Sequence, residues 1–189
     1  MDRDDDDLPF VRALRNGDDS ALDNLMSRHK ASLFRFIFRY VRNEEDAVEL
    51  TQESFIRVYF NIRSFTPKAR FTTWLYTIAK NLCRDHVGSR AYRNRGRTFS
   101  IHAEEGDKPV ELPATGPTPD KITQDNEYMR IVENAIDRLP PDLKTALILT
   151  ALEGLSHIET ANRLGTTPKT VETRVYRARK YLEKILRIC

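Results

Sequence analysis

Apolar residues recur along this chain at spacings of three and four, and almost nowhere alternate as a strand would require. Leu22, Leu25, Met26, Leu33, Phe36, Ile37 and Tyr40 describe one buried stripe on a helix from about 19 to 42. "RNEEDA" breaks that period and restarts it: Asn43 can cap a second long helix, and Glu44, Glu45 and Asp46 suit the positive end of its dipole. This helix reaches about Ile62. In "SFTPKAR" Pro67 lacks an N–H and biases Thr66 away from helical angles, which makes the segment a loop. A further helix then runs from Phe71 to about Arg93, with Phe71, Leu75, Ile78, Leu82 and His86 on one side and Trp74 at its margin. Thr73, Thr77, Lys80 and Arg84 project from the other side.

From Gly96 to about Pro119 the period vanishes into Gly, Pro, Thr and acids, the composition of a tether that cannot bury enough to fold. Helical pattern resumes near Asp120, pauses at Pro140 and Pro141, and continues as about four helices. The expected fold is therefore all-α: two small helical domains, 1–95 and 127–189, joined by an acidic flexible linker over 96–126. An apolar content of 40% is enough for a core in each.

No apolar run approaches a membrane span, and "MDRDDDDLPF" is acidic where a secretory signal is basic and then apolar, so a cytoplasmic protein without membrane insertion is expected. Cys83 and Cys189 form no metal-ligand spacing, and no second ligand stands near His86; neither cofactor nor metal is expected. His86 reads as a partly buried side chain.

Charge changes the picture. The chain is only +3 overall, but residues 57–95 carry nine bases against the single acid Asp85, a net +8, and residues 168–189 carry seven bases and two acids, a net +5. Between them, 96–126 is net −3. Two cationic blocks around an acidic spacer suit a polyanion, although each block by itself could simply be a solvated helix face.

Within "SHIETANRLGTTPKTVETRVYRARKYL" the positions of Ala161, Gly165 and Val171 reproduce the spacing of a helix-turn-helix. A small side chain lets two helices cross closely, a glycine takes the left-handed turn, and a branched apolar residue anchors the second helix. Thr167 can cap that helix, with Pro168 at its first position. Val171, Val175, Ala178, Leu182 and Ile185 form its buried stripe; Lys169, Thr173, Tyr176, Arg177, Lys180 and Lys184 lie opposite. Such an inventory fits a major groove better than a structural helix-turn-helix without DNA or a membrane surface.

In the first domain, "SFTPKAR" sets an aromatic, hydroxyls and two cations beside the entrance of the Phe71 helix, a combination that could hold single-stranded nucleic acid. The competing reading makes Phe65, Phe71 and Trp74 core residues only; it is the better one for Phe71, and for Trp74 both stay open. The preceding helix presents Asp46, Glu49, Gln52 and Glu53, with no base between 43 and 56. Acids there repel DNA, so this face either solvates the domain or meets a basic protein.

On these residues the chain resembles bacterial sigma factors of the extracytoplasmic-function (ECF) group. "EEDAVELTQESFIRVY" resembles their core-polymerase-binding helix, "FTTWLYTIAKNLCRDHVGSR" their promoter-melting and −10-reading segment, and the stretch from "LPPDLK" to Leu182 their −35-reading domain. Phe71, Trp74, Leu75, Ile78, Ala79, Asn81, Asp85 and Arg90 all stand in family order. The resemblance implies a region 2 bundle and a region 4 helix-turn-helix, and a specificity subunit of RNA polymerase without catalysis of its own. It assigns Asp46, Glu49, Gln52 and Glu53 to the clamp helices of the largest polymerase subunit, with the beta flap as a further core contact.

The resemblance further implies that the loop containing Ser64, Phe65, Lys68 and Arg70 takes a flipped non-template base, while Thr73, Trp74, Lys80, Asn81 and Arg84 line the melted −10 strand. Lys169, Thr170, Glu172, Thr173, Arg174, Tyr176, Arg177 and Lys180 would serve the −35 element, and an anti-sigma factor responding to stress, envelope or metal signals would control the whole. Two positions depart from the family. Glu172 stands where a base is common, which argues against a phosphate contact there; Thr160 stands where an aliphatic residue is usual, with Ile158 as its compensation.

Two rival readings differ in what they explain. A free-standing helix-turn-helix regulator accounts for the C-terminal domain but leaves the cationic Phe71 helix and its acidic neighbour without a task. An enzyme such as a nuclease or phosphotransferase needs a carboxylate–histidine cluster or a glycine-rich phosphate loop, and neither can be assembled from this sequence.

Overall fold

The computed structural model describes residues 5–97 and 131–187, and among the described residues every regular element is helical. Cys189, the expected linker from 98 onward and the side chain of Arg90 lie outside the described residues. Helix α1 (Leu8–Arg15), which the periodicity did not announce, starts with Pro9 in its first turn and buries Val11 and Leu14. Then come α2 (Ser20–Val41), α3 (Glu44–Asn61), a 3-10 turn (Ile62–Ser64) and α4 (Phe71–Arg97).

The expected α2 stripe is the core of this bundle: Leu25, Leu33, Phe36, Ile37 and Tyr40 are buried, and Leu22 and Met26 pack at its rim. Asn43 caps α3 by accepting from the Asp46 N–H at 2.9 Å. The acidic N-terminus also has work in the fold. Asp5 Oδ2 accepts from the Phe71 N–H at 2.7 Å at the start of α4, and the buried Asp7 binds His29 Nε2 at 2.8 Å with Arg28 Nε 2.9 Å away.

Among the described residues the C-terminal part holds four helices: α5 (131–137), α6 (Pro141–Leu147), which runs into a π turn (Ile148–Leu152), α7 (His157–Leu164) and α8 (Pro168–Leu186). Helices α7 and α8 form the expected helix-turn-helix around buried Ala161, Val171 and Val175. Gly165 sits at φ 62° and donates its N–H to Ala161 O, and the Thr167 hydroxyl accepts from the Thr170 N–H at 3.2 Å. A Ser156–Glu159 capping box starts α7. One expectation fails: Thr160 is itself fully buried, with no hydrogen-bond partner for Oγ1, while Ile158 is 64% exposed. Two residues along a helix rotate a side chain by about 200°, so Ile158 cannot fill the place of Thr160.

The two parts pack against each other. Ile148 and Leu149 enter the core of the N-terminal bundle, and α4 buries a second face, Tyr76, Ala79 and Cys83, besides the expected one. The Arg163 guanidinium of α7 lies 5.1 Å from the Tyr76 ring centre. Arg35 and Arg39 of α2 both pair with Glu153, at 3.2 and 2.5 Å, and Arg42 donates to the Glu133 carbonyl at 2.8 Å. Lys144 of α6 is 2% exposed and donates to the Tyr40 carbonyl at 2.9 Å and to Asp137 at 2.8 Å.

Candidate nucleic-acid interface

Trp74, Ile78 and Asn81 recur at i, i+4 and i+7 and so share one face of α4. Opposite them, the end of α3 and the 3-10 turn supply Arg57, Asn61 and Ser64, and the six residues line a cavity of about 290 Å³. A chain of hydrogen bonds holds its rim: Ser64 Oγ donates to the Asn61 carbonyl at 2.7 Å, Asn61 Nδ2 to the Arg57 carbonyl at 2.9 Å, and Arg57 Nε to Glu53 at 2.7 Å. Trp74 is braced from behind by Phe65, ring centres 5.2 Å apart, and by Phe71 at 6.3 Å. One part of the tryptophan's surface therefore meets the core and another lines the cavity. Phe65, at 3% exposure, is a support for it and not a surface of the cavity.

The remaining residues of the loop and helix are placed differently. Lys68 is exposed, and Arg70 is half-buried with no hydrogen-bond partner for Nε. Thr73 and Lys80 face the C-terminal domain: the Thr73 hydroxyl donates to the Asn162 carbonyl, and Lys80 Nζ lies 3.4 Å from Asp142. Arg84 pairs with its neighbour Asp85 at 3.0 Å. The sequence thus names Ser64, Trp74 and Asn81 of the cavity and misses Arg57, Asn61 and Ile78. The i, i+4 step from Arg57 to Asn61 was visible, but no sequence feature says that α3 ends facing Trp74.

On α8, Lys169, Glu172, Tyr176, Arg177 and Lys180 are exposed and Thr173 is half-exposed. Thr170 belongs to the cap, and Arg174 turns toward Asp142 at 3.5 Å. The hydrogen bond and charge of Lys169, 2.9 Å away, hold the Glu172 carboxyl below its ordinary range. Lys180 lies 5.2 Å from the Tyr176 ring centre.

The α3 face is mixed. Glu49 and Gln52 are exposed, Glu53 is tied to Arg57, and Asp46 lies 3.1 Å from His86 Nε2, so His86 is the half-buried side chain expected of it. Val48, Ile56 and Phe60 are exposed beside these acids, and Met26, Phe34, Val48 and Gln52 help line a groove of about 640 Å³ between α2 and α3. Such apolar surface beside carboxylates suits a protein partner. Among the described residues no His, Cys or acid cluster could hold a metal, and no helix is long and apolar enough to cross a membrane.

Residues 25–96 match the family described as Sigma-70 region 2, and residues 129–182 match Sigma-70, region 4. The chain is 35% identical over 178 residues to the ECF RNA polymerase sigma-E factor of Haemophilus influenzae, covering 94% of this chain and 93% of that protein. It is likewise 35% identical over 174 residues to the ECF RNA polymerase sigma factor SigE of Mycolicibacterium smegmatis, covering 90% of this chain but 64% of that longer protein. Among solved structures, that of CnrH in complex with the cytosolic domain of CnrY is similar, with a TM-score of 0.61, 25% identity, and coverage of 96% of this chain and 97% of that one.

Proposed function

The chain belongs to the sigma-70 family, in its ECF group, and from that premise we propose that it joins RNA polymerase core and directs initiation at promoters with specific −35 and −10 elements. It acts as the specificity subunit while the core performs the chemistry. The observation that carries this reading is the cavity walled by Trp74 and edged by Ser64, Asn61 and Asn81. An aromatic wall with amide and hydroxyl groups at its rim suits one unstacked base, held by stacking and read along its edge.

Placement supports the remaining roles. Lys68, Arg70, Lys80 and Arg84 supply cations for the melted strand, and the exposed face of α8 from Lys169 to Lys180 reads the −35 element. The α3 face with Glu49, Gln52 and Glu53 and its apolar neighbours docks on the clamp helices of the core; the beta flap receives the region 4 domain (127–189), and the acidic linker (96–126) tethers it to the region 2 domain (1–95). Thr73 and Lys80 are engaged by the C-terminal domain, so DNA competes with that domain for them and the two parts must separate as the holoenzyme forms. The structure of CnrH is of a complex with another protein's cytosolic domain, which supports an anti-sigma factor as a further partner, released under stress, envelope or metal signals.

Run-off transcription with purified core polymerase on genomic fragments tests the proposal: defined start sites that depend on the added chain are expected. Failure to co-elute with core, or co-elution without selective initiation, would overturn it. A gel shift separates the regulator reading, since specific binding to duplex promoter by the chain alone would favour that rival.

A further inference from the structure

Three arginines line one cavity, and among the described residues no carboxylate pairs with any of them. Arg12 and Arg15 share one face of α1 with Asn16, Arg63 comes from the 3-10 turn after α3, and together they line a cavity of about 440 Å³. Arg15 Nη1 lies 3.5 Å from the Phe65 carbonyl, and none of the three arginines forms an ion pair among the described residues. Of the nearest acids in sequence, Asp18 accepts from the N–H and hydroxyl of Ser20 at 3.1 and 2.6 Å, and Asp19 lies close enough to Tyr59 to push its phenol above the ordinary value. The C-terminal end of α1 accounts for two cations by its dipole. It gives no reason for a third brought in from another element, whose like charge is unfavourable unless an anion sits among them.

We propose that this cluster binds the phosphate backbone of single-stranded nucleic acid and continues the track that starts at the Trp74 cavity. The inference rests on the proposed function and extends it to α1, which lies ahead of the residues matched to Sigma-70 region 2. Two observations support that continuity. Ser64 lines the Trp74 cavity while its neighbour Arg63 lines the arginine cavity, so one short turn separates the two. Every residue around the arginine cavity is polar and exposed, which leaves a protein partner without the buried apolar anchor that such interfaces use. Guanidinium forks pair with phosphate oxygens in a bidentate way, and their charge does not titrate.

The test uses holoenzyme assembled from the full chain and purified core, with forked DNA from a promoter mapped by run-off transcription. The non-template tail either ends at the base expected in the Trp74 cavity or extends several nucleotides beyond it. The long tail is expected to bind more tightly and with steeper salt dependence. R12Q/R15Q/R63Q should lose that gain, flattening the plot of log affinity against log salt by about 0.7 for each phosphate contact removed, and should leave the short tail unchanged. R12K/R15K/R63K should restore most of the slope, which separates lost charge from lost folding. Equal binding of the two tails, or an unaltered slope in the glutamine variant, would overturn the site. Weakened core binding with unchanged DNA binding would overturn it in favour of a protein contact. If the short tail is not bound specifically either, the proposed function falls together with this inference; specific short-tail binding without a long-tail gain removes the inference alone.

Discussion

Lys80 of α4 and Asp142 of α6 stand 3.4 Å apart across the seam between the two domains, and the same carboxylate lies 3.5 Å from Arg174 of α8. One acid thus engages a cation that we assign to the melted strand and another from the helix that we assign to the −35 element. Asp142→Asn should release both. The pairs are partly solvated, so each contributes about 0 to 1 kcal/mol, and affinity of the free chain for single-stranded DNA should rise by no more than about fivefold. The gain should fade at high salt. Fluorescence anisotropy checks it, and weaker binding by the variant would mean that Asp142 does not compete with DNA.

Lys144 is the most committed contact of that seam, because its ammonium is buried against the Tyr40 carbonyl and lies 4.4 Å from the Tyr40 ring centre. Lys144→Met keeps the stem but leaves that carbonyl without its donor, a loss of about 1 to 3 kcal/mol at the seam. Cys83 reports the result: burial pushes its thiol up to about 12, against the pull of the Lys144 charge. In a Cys189→Ser background the parent chain should react slowly with a thiol reagent at neutral pH. If the seam opens in the variant, water returns to Cys83 and labelling accelerates. If the seam stays shut, loss of the cation drives the thiol higher still and labelling slows, so the direction of change decides.

Asp7 ties the start of the chain to α2. Burial alone would raise its carboxyl, but the hydrogen bond and charge of His29 and the charge of Arg28 outweigh it and hold the group below 3.8. The folded value lies under the unfolded one, so the stabilisation is fully present above the unfolded value and disappears as pH falls through the folded one. Asp7→Asn should therefore cost about 1 to 3 kcal/mol at neutral pH and progressively less in acid. Thermal melts of both chains from neutral pH to below 3.8 would show the curves converging. Curves that stay parallel would remove this role.

What the sequence disclosed and what it hid have physical reasons. Caps and turns act within four residues, so Asn43, Gly165, Thr167 and Pro168 could be read directly, as could the α2 and α8 stripes. Helix α1 escaped because it is barely two turns long and follows aspartates that look solvated, although Asp5 and Asp7 are both bound. The seam escaped because it is made of residues that read as surface: Thr73, Lys80, Arg39 and Lys144 carry no periodic signal for burial. On α4 the stronger apolar stripe concealed the second one, Tyr76, Ala79 and Cys83, which only a partner far along the chain covers.

Arg177 is exposed on α8 and makes no ion pair among the described residues, whereas Lys169 is held by Glu172 and Arg174 by Asp142. An unpaired guanidinium reaches a guanine edge without first breaking a bond to the protein. Arg177→Ala should cost about 1 to 3 kcal/mol and relax preference at one position of the −35 element. Run-off transcription on promoters varied base by base reads this, and equal loss on every variant would make Arg177 a backbone contact. Glu172→Gln supplies the opposite sign. It removes the carboxylate that engages Lys169, so binding should tighten about equally on all sequences, and the salt dependence should steepen because one more cation is free for phosphate. A change of base preference in place of that uniform gain would show Glu172 itself reading a base edge.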